Sequence, residues 1–213
     1  MPVLRKRRNI ASLIKDFNNM KKLFIIAYSL LVASFASAQN MREIWLSMPD
    51  SLVPYLNNSL RTEVADYVDM KDMKPEVNNL LDDTTRINKL TNDYMLVRLT
   101  NSSVLEMRKL NDNRIATVWT WFGPAPESTL RMFDSEWNEL PVSSTFEPTI
   151  VRPDSMTVER FEELKSLLEP RLIELRLSPE DNSVTASYSL SLLSREEKKA
   201  VASILRQRKY SLD

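Results

Sequence analysis

Two periodicities alternate along the chain. Between residues 50 and 70 the apolar positions Val53, Leu56, Leu60, Val64, Tyr67 and Val68 recur every three or four residues, the spacing of one helix face. Asp50 or Ser51 can cap that helix and Pro54 fits only a first turn, so a start near Asp50 is predicted. The pattern dissolves by Lys71 to Pro75, and Asp82-Asp83 reads as a turn. From Tyr94 the period drops to two. Met95, Val97 and Leu99 alternate with Leu96 and Arg98, and further strands are predicted over Val104–Leu110, Ile115–Phe122 and Thr129–Phe133. Their links are Asn101-Ser102, Asn111-Asp112-Asn113 and Gly123-Pro124-Ala125-Pro126, short enough for an antiparallel meander.

After a polar, proline-bearing stretch from Pro141 to Pro153 the helical period returns. Val158, Phe161, Leu164 and Leu168 share a face, and Pro170 stops the helix. Arg171–Ser178 and Ser183–Ser191 form a predicted hairpin around Pro179-Glu180-Asp181-Asn182, the second strand alternating Val184, Ala186, Tyr188 and Leu190 with serine and threonine. A last helix opens on the capping box Ser194-Arg195-Glu196-Glu197 and buries Val201, Ile204 and Leu205. The predicted fold class is α+β, an antiparallel sheet (meander plus C-terminal hairpin) packed by about three helices. Two helix-plus-strands units would also suit a diverged duplication, although no residue-level repeat supports one.

The N-terminal segment follows different rules. Met20-Lys21-Lys22, the apolar run Leu23–Val32 and the small residues up to Ala36-Ser37-Ala38 have the layout of a secretory signal cleaved after Ala38. The run is about half the ~20 residues that span a bilayer, so no stable membrane span is expected after cleavage. Residues 1–19, with Arg5-Lys6-Arg7-Arg8, are read as a start placed too early or an extended basic leader, 20–38 as the signal, and 39–213 as one α+β domain. This division changes the electrostatics. The whole chain has 29 cations and 29 anions. Setting aside the seven cations and one anion of residues 1–38 leaves 22 against 28, a formal charge of −6. An acidic domain offers no basic field to nucleic acid.

Composition then excludes chemistry. The chain has no histidine, no cysteine and one glycine, Gly123. No histidine base, thiol nucleophile, His/Cys metal site or disulfide framework can be built, and no glycine-rich phosphate loop. No cofactor or resident metal is expected. The chain's S-x-x-K, Ser12 to Lys15, falls in the leader. Asn and Asp tolerate left-handed backbone and can do the turn work of the missing glycines. An exported chain without cysteine suits the bacterial periplasm or cell surface.

Carboxylates and aromatics remain. Trp119 and Trp121 fall on one face of a strand, and with Trp137 they are the candidate binding residues, for a glycan ring or a proline-rich peptide. The same aromatics would also serve as sheet packing. Glu127, Asp134 and Glu136 lie close by and are the acids a glycan hydrolase would draw on, yet Asp134 and Glu136 also suit a turn. Asp66, Asp69 and Asp72 are three apart but lack a calcium-loop pattern and read as a solvated helix face. Asp50-Ser51-Leu52, Asp83-Thr84-Thr85 and Asp154-Ser155-Met156 resemble acceptor triplets for O-glycosylation in some exported bacterial proteins.

Two segments, Met41-Arg-Glu-Ile-Trp-Leu-Ser-Met-Pro-Asp-Ser-Leu-Val-Pro-Tyr-Leu56 and Pro126-Glu-Ser-Thr-Leu-Arg-Met-Phe-Asp-Ser-Glu-Trp137, resemble an uncharacterised domain-of-unknown-function family of small exported proteins from Bacteroidetes-type bacteria. The resemblance runs over most of residues 40–205 and implies a single-domain exported protein. It carries no catalytic or binding residue. The expected function is a non-enzymatic binding or interaction module with a protein or glycan partner, the alternative being a carboxylate-dependent glycan hydrolase.

Overall fold

The computed structural model describes residues 39–213, and the domain considered below is Asn40–Asp213. The signal segment, its cleavage point and the basic run lie outside the described residues. The chain forms α1 (Met41–Ser47), α2 (Asn58–Val68), β1 (Glu76–Asn78), β2 (Thr84–Leu90), β3 (Tyr94–Thr100), β4 (Ser103–Lys109), β5 (Ile115–Phe122), β6 (Pro126–Phe133) and β7 (Glu139–Leu140). There follow β8 (Thr149–Ile150), α3 (Val158–Ser166), β9 (Ile173–Leu177), β10 (Ser183–Tyr188), α4 (Arg195–Ala202), β11 (Leu205–Arg206) and β12 (Arg208–Ser211). The fold is α+β, as its periodicities predict.

β1 to β7 form one antiparallel meander in which sequence order is spatial order. β9 and β10 are a hairpin, and β12 pairs with the outer side of β10 to give a three-stranded sheet. β8 and β11 make a separate pair.

The layers follow from which side chains each strand sends to which face. Met95, Val97, Leu105, Met107 and Ile115 meet Trp45 of α1, Val64 of α2 and the loop residues Val53 and Leu56. On the opposite face Tyr94, Ala116, Val118, Leu130 and Met132 meet Leu175, Leu177, Val184, Ala186 and Leu212 of the three-stranded sheet. The meander is therefore enclosed between a helical layer and a second sheet. That is why the first six residues of β4 and of β5 are buried on both faces and lose the simple in–out alternation of a half-exposed strand. A third cluster, centred on Leu164, Leu168, Val201 and Ile204, joins α3 to α4 beside β8 and β11.

A buried carboxylate bridges the two sheets, and Arg108 of β4 reaches across to the Pro179 carbonyl at 2.8 Å. Glu106 of β4 is buried and accepts from the Tyr94 hydroxyl at 3.1 Å, Arg176 Nη1 at 3.0 Å and the Leu177 amide at 2.9 Å. Each carboxylate oxygen is satisfied, which is the condition for carrying such a group in a core.

Several expectations need correction. The first long helix starts at Asn58, not near Asp50. Asn57 caps it, its Oδ1 accepting from the Leu60 amide at 3.0 Å. Residues 49–56 instead form consecutive four-residue turns, the amides of Leu52, Val53 and Leu56 donating to the carbonyls of Pro49, Asp50 and Val53. Those turns reproduce a helical spacing of apolar residues without a helix. Asp50 pairs with the buried Arg61 at 2.8 Å rather than capping. A further helix, α1, precedes the loop, closed by a capping box between Asn40 and Glu43. β2 lies in a stretch left unassigned by its pattern, and the chain after Ala202 turns into β11 and β12 instead of extending the last helix through Leu205. The two halves build different sheets.

Candidate functional site

The meander's register assembles the site at one end of the sheet. Trp119 stands opposite Thr129 and Leu105, and Trp121 opposite Glu127 and Ser103. All these odd-numbered positions face the helical layer. α1, α2 and the loop between them pack against that face, α2 toward the β1–β2 edge and the loop with Leu52, Val53, Tyr55 and Leu56. Beyond the loop the strand ends are left open.

The result is a groove of ≈ 240 Å³ lined chiefly by Leu52, Tyr55, Ser103, Trp119, Trp121 and Arg131. Trp119 forms its inner wall, 8% exposed, with its indole N–H donated to the Thr117 hydroxyl at 3.1 Å. Trp121 forms the outer wall and is half exposed at 49%. Arg131 closes the third side. Its guanidinium lies 4.9 Å from the Phe133 ring centroid and forks onto Glu139 at 2.9 and 2.7 Å. Burial raises the Tyr55 phenol above its ordinary value while the Ser103 hydroxyl pulls the other way, so Tyr55 presents a neutral hydroxyl. The groove thus offers an aromatic surface, two hydroxyls and one guanidinium whose charge is already matched.

The third candidate tryptophan sits elsewhere. Trp137 is buried against Phe133, ring centroids 5.3 Å apart, and donates its indole N–H to the Ser47 hydroxyl at 3.1 Å. It occupies a left-handed backbone conformation (φ 64°) in the β6–β7 turn and fastens that turn to α1. The structure therefore brings Trp119 and Trp121 together and leaves Trp137 in the core. Tyr55 and Arg131 join the site unannounced by the sequence. Arg131 could have been found by counting back along β6 from its register with β5; Tyr55 comes from a loop more than sixty residues upstream and has no such signal.

The acids do not converge. Glu127 is exposed opposite Trp121. Asp134 lies at the far end of β6, seven residues away, which at a rise of about 3.3 Å per residue is roughly 23 Å. A glycosidase pair stands at about 5 to 9.5 Å. Asp134 is a turn residue, accepting from the Glu136 and Asn138 amides and the Asn138 side chain, each at 2.9 Å. Those bonds, the Asn138 side chain foremost, lower its carboxyl, the opposite of what a proton donor needs. Glu136 is exposed in the same turn. Asp66 and Asp69 are engaged by Arg42, and among the described residues no three metal-ligating side chains gather. Ser51, Thr84 and Ser155 of the acceptor-like triplets are all exposed. Among the described residues no helix is long and apolar enough to cross a membrane.

Comparison with known proteins adds a family and a fold. The model of a family described as "Protein of unknown function (DUF3256)" matches residues 33–212. A search of curated proteins finds no match. A solved structure titled "Structure of a domain of an uncharacterized protein from Porphyromonas gingivalis W83" superposes with a TM-score of 0.65 at 18% identity, over 81% of this chain and 95% of that one. At that identity the likeness is one of fold.

Proposed function

The chain belongs to the DUF3256 family of proteins of unknown function, and from that footing we propose that it is an exported, non-enzymatic binding module of the bacterial periplasm or cell surface, with a protein or glycan partner seated in the groove beside Trp121. The observation that carries this reading is the half-exposed Trp121, placed by β5 next to Tyr55, Trp119 and Arg131. An indole held on a rigid strand with one face in water loses little conformational freedom on binding and contributes a large contact area. Export rests on the leader pattern of residues 20–38 and on the family resemblance of the segments that follow it. A non-enzymatic role is supported by the chain's lack of histidine and cysteine and by the separation of Glu127 from Asp134.

Trp121→Ala separates binding from folding. It is expected to leave stability within about 0.5 kcal/mol and to weaken partner binding at least tenfold. Trp119→Ala, which empties a buried site, should cost about 3 kcal/mol. Tryptophan fluorescence titrations against panels of oligosaccharides and extended peptides, alongside urea unfolding, read both quantities. A partner bound equally well by Trp121→Ala would end the proposal. Turnover of a polysaccharide, lost in Glu127→Gln, would replace it with a hydrolase.

A further inference from the structure

Three hairpin tips and one loop meet at the same end of the meander. The β1–β2 turn is joined to the β3–β4 turn by the Asp83 carboxylate, which accepts from the Asn101 amide and side chain, both at 2.7 Å. The β3–β4 turn is joined to the β5–β6 hairpin through the Phe122 amide and the Ser102 carbonyl at 2.8 Å. The α1–α2 loop is joined to the first turn through the Leu80 amide and the Tyr55 carbonyl at 2.9 Å.

What this cross-tied end displays is apolar. Leu80 and Leu81 are 64% and 60% exposed in a turn whose positions ordinarily take polar residues. Tyr55 and Leu52 continue from them into the groove, and Trp121 completes the strip at the β5–β6 tip. From the β1–β2 turn to the β5–β6 turn is four strand spacings of about 4.8 Å, roughly 19 Å. An extended chain covers that distance in about six residues.

Charge narrows the occupant. Asp82, Asp83 and Glu127 border the strip without a basic partner among the described residues, whereas the Asp50 charge is matched by Arg61. Of the cations nearby, Arg131 is held by Glu139, and Arg98 donates to the Thr100 carbonyl and to Asn101. The border is acidic on balance.

Building on the groove reading above, we infer that the partner is a protein, recognised through an extended apolar segment of about six residues with a lysine or arginine beside it, laid from Leu81 across Tyr55 to Trp121. Aliphatic leucines at one end of the strip bury nothing useful against a hydroxylated sugar, and gain most against aliphatic or aromatic side chains. The acidic border then selects segments flanked by cations and rejects those flanked by carboxylates.

The test pans a random peptide library on the full chain and compares the selected peptide, its glutamate-flanked counterpart and cellohexaose on three proteins: unmodified, Trp121→Ala, and the double variant Leu80→Ser with Leu81→Ser. Leu80 and Leu81 are exposed, so the double variant should fold as the unmodified chain does, which circular dichroism checks. Selected peptides are expected to be apolar with a flanking lysine or arginine. Both variants should weaken their binding at least tenfold, and glutamate flanks should do the same. Peptide binding that falls with Trp121→Ala but not with the leucine pair, or cellohexaose binding without peptide binding, overturns the protein-segment inference and leaves the groove reading standing. Binding insensitive to Trp121→Ala, or no binding by either probe class, overturns both.

Discussion

Arg61 shows how much one buried side chain can organise. It is 1% exposed, and its guanidinium donates to the Leu56 carbonyl at 2.7 Å and to the Met48 carbonyl while pairing with Asp50. Its own carbonyl accepts the Trp45 indole N–H at 3.1 Å. One residue of α2 thereby holds the whole 48–56 loop, and with it Leu52 and Tyr55 of the groove. Arg61→Met should lose about 3 kcal/mol in urea unfolding, because two buried carbonyls are left without donors. Asp50→Asn should lose under about 1 kcal/mol, because the Asp50 carboxylate is itself more than half exposed and the two carbonyls keep the buried guanidinium hydrogen-bonded. Glu106 makes a different expectation, about pH. Burial pushes its carboxyl above the ordinary range, against the pull of Arg176, the Leu177 amide and Tyr94. A raised folded value means that the folded state holds the proton more tightly, so this group's stabilisation is complete below about pH 4.3 and fades as pH rises through the folded value. The melting temperature of Glu106→Gln should therefore improve relative to the unmodified domain as pH rises above the ordinary carboxylate range of about 4.3. A constant difference between the two melting curves would refute it.

Caps and edges matter most for the elements. α4 begins with a capping box in which Ser194 and Glu197 satisfy each other's backbone amides, the latter at 2.8 Å. Ser194→Ala should cost about 1 kcal/mol in thermal melts. That box was plain in the sequence, as were β3 to β6 and the β9–β10 hairpin, because an apolar period of two or a reciprocal cap is written locally. β2 was not, for a physical reason. Its inward positions are Thr85 and Ile87, and the buried Thr85 hydroxyl donates to the Leu99 carbonyl at 2.7 Å beside Asn79. A core position filled by a hydrogen-bonded threonine leaves no apolar trace. α1 is two turns long, and β12, Arg208-Lys209-Tyr210-Ser211, is polar because only one side of it meets the core. At the site, Trp121 was legible as half of a strand-face pair, whereas Tyr55 depends on Arg61 holding a loop and Arg131 on a cross-strand register. Long-range partners of this kind have no local signature.

For the whole molecule, three apolar clusters divide the labour unequally. Two of them press on opposite faces of the meander, and the third ties α3 and α4 together beside a two-residue strand pair. Hydrogen exchange should follow that division: amides of β4 and β5 should exchange last, through global unfolding, and those of α3, α4, β8 and β11 first. Equal protection across both groups would mean a single cooperative unit.

The second sheet is closed by β12, and Leu212 packs in the core between the two sheets. On the ribosome this has a temporal consequence. Synthesis runs from the N-terminus, so the meander can pair long before the strand that completes its cover has been made. Until residue 212 clears the exit tunnel, Val118, Leu130 and Met132 stay incompletely sheltered, a nascent state suited to a holding chaperone and unsuited to early closure.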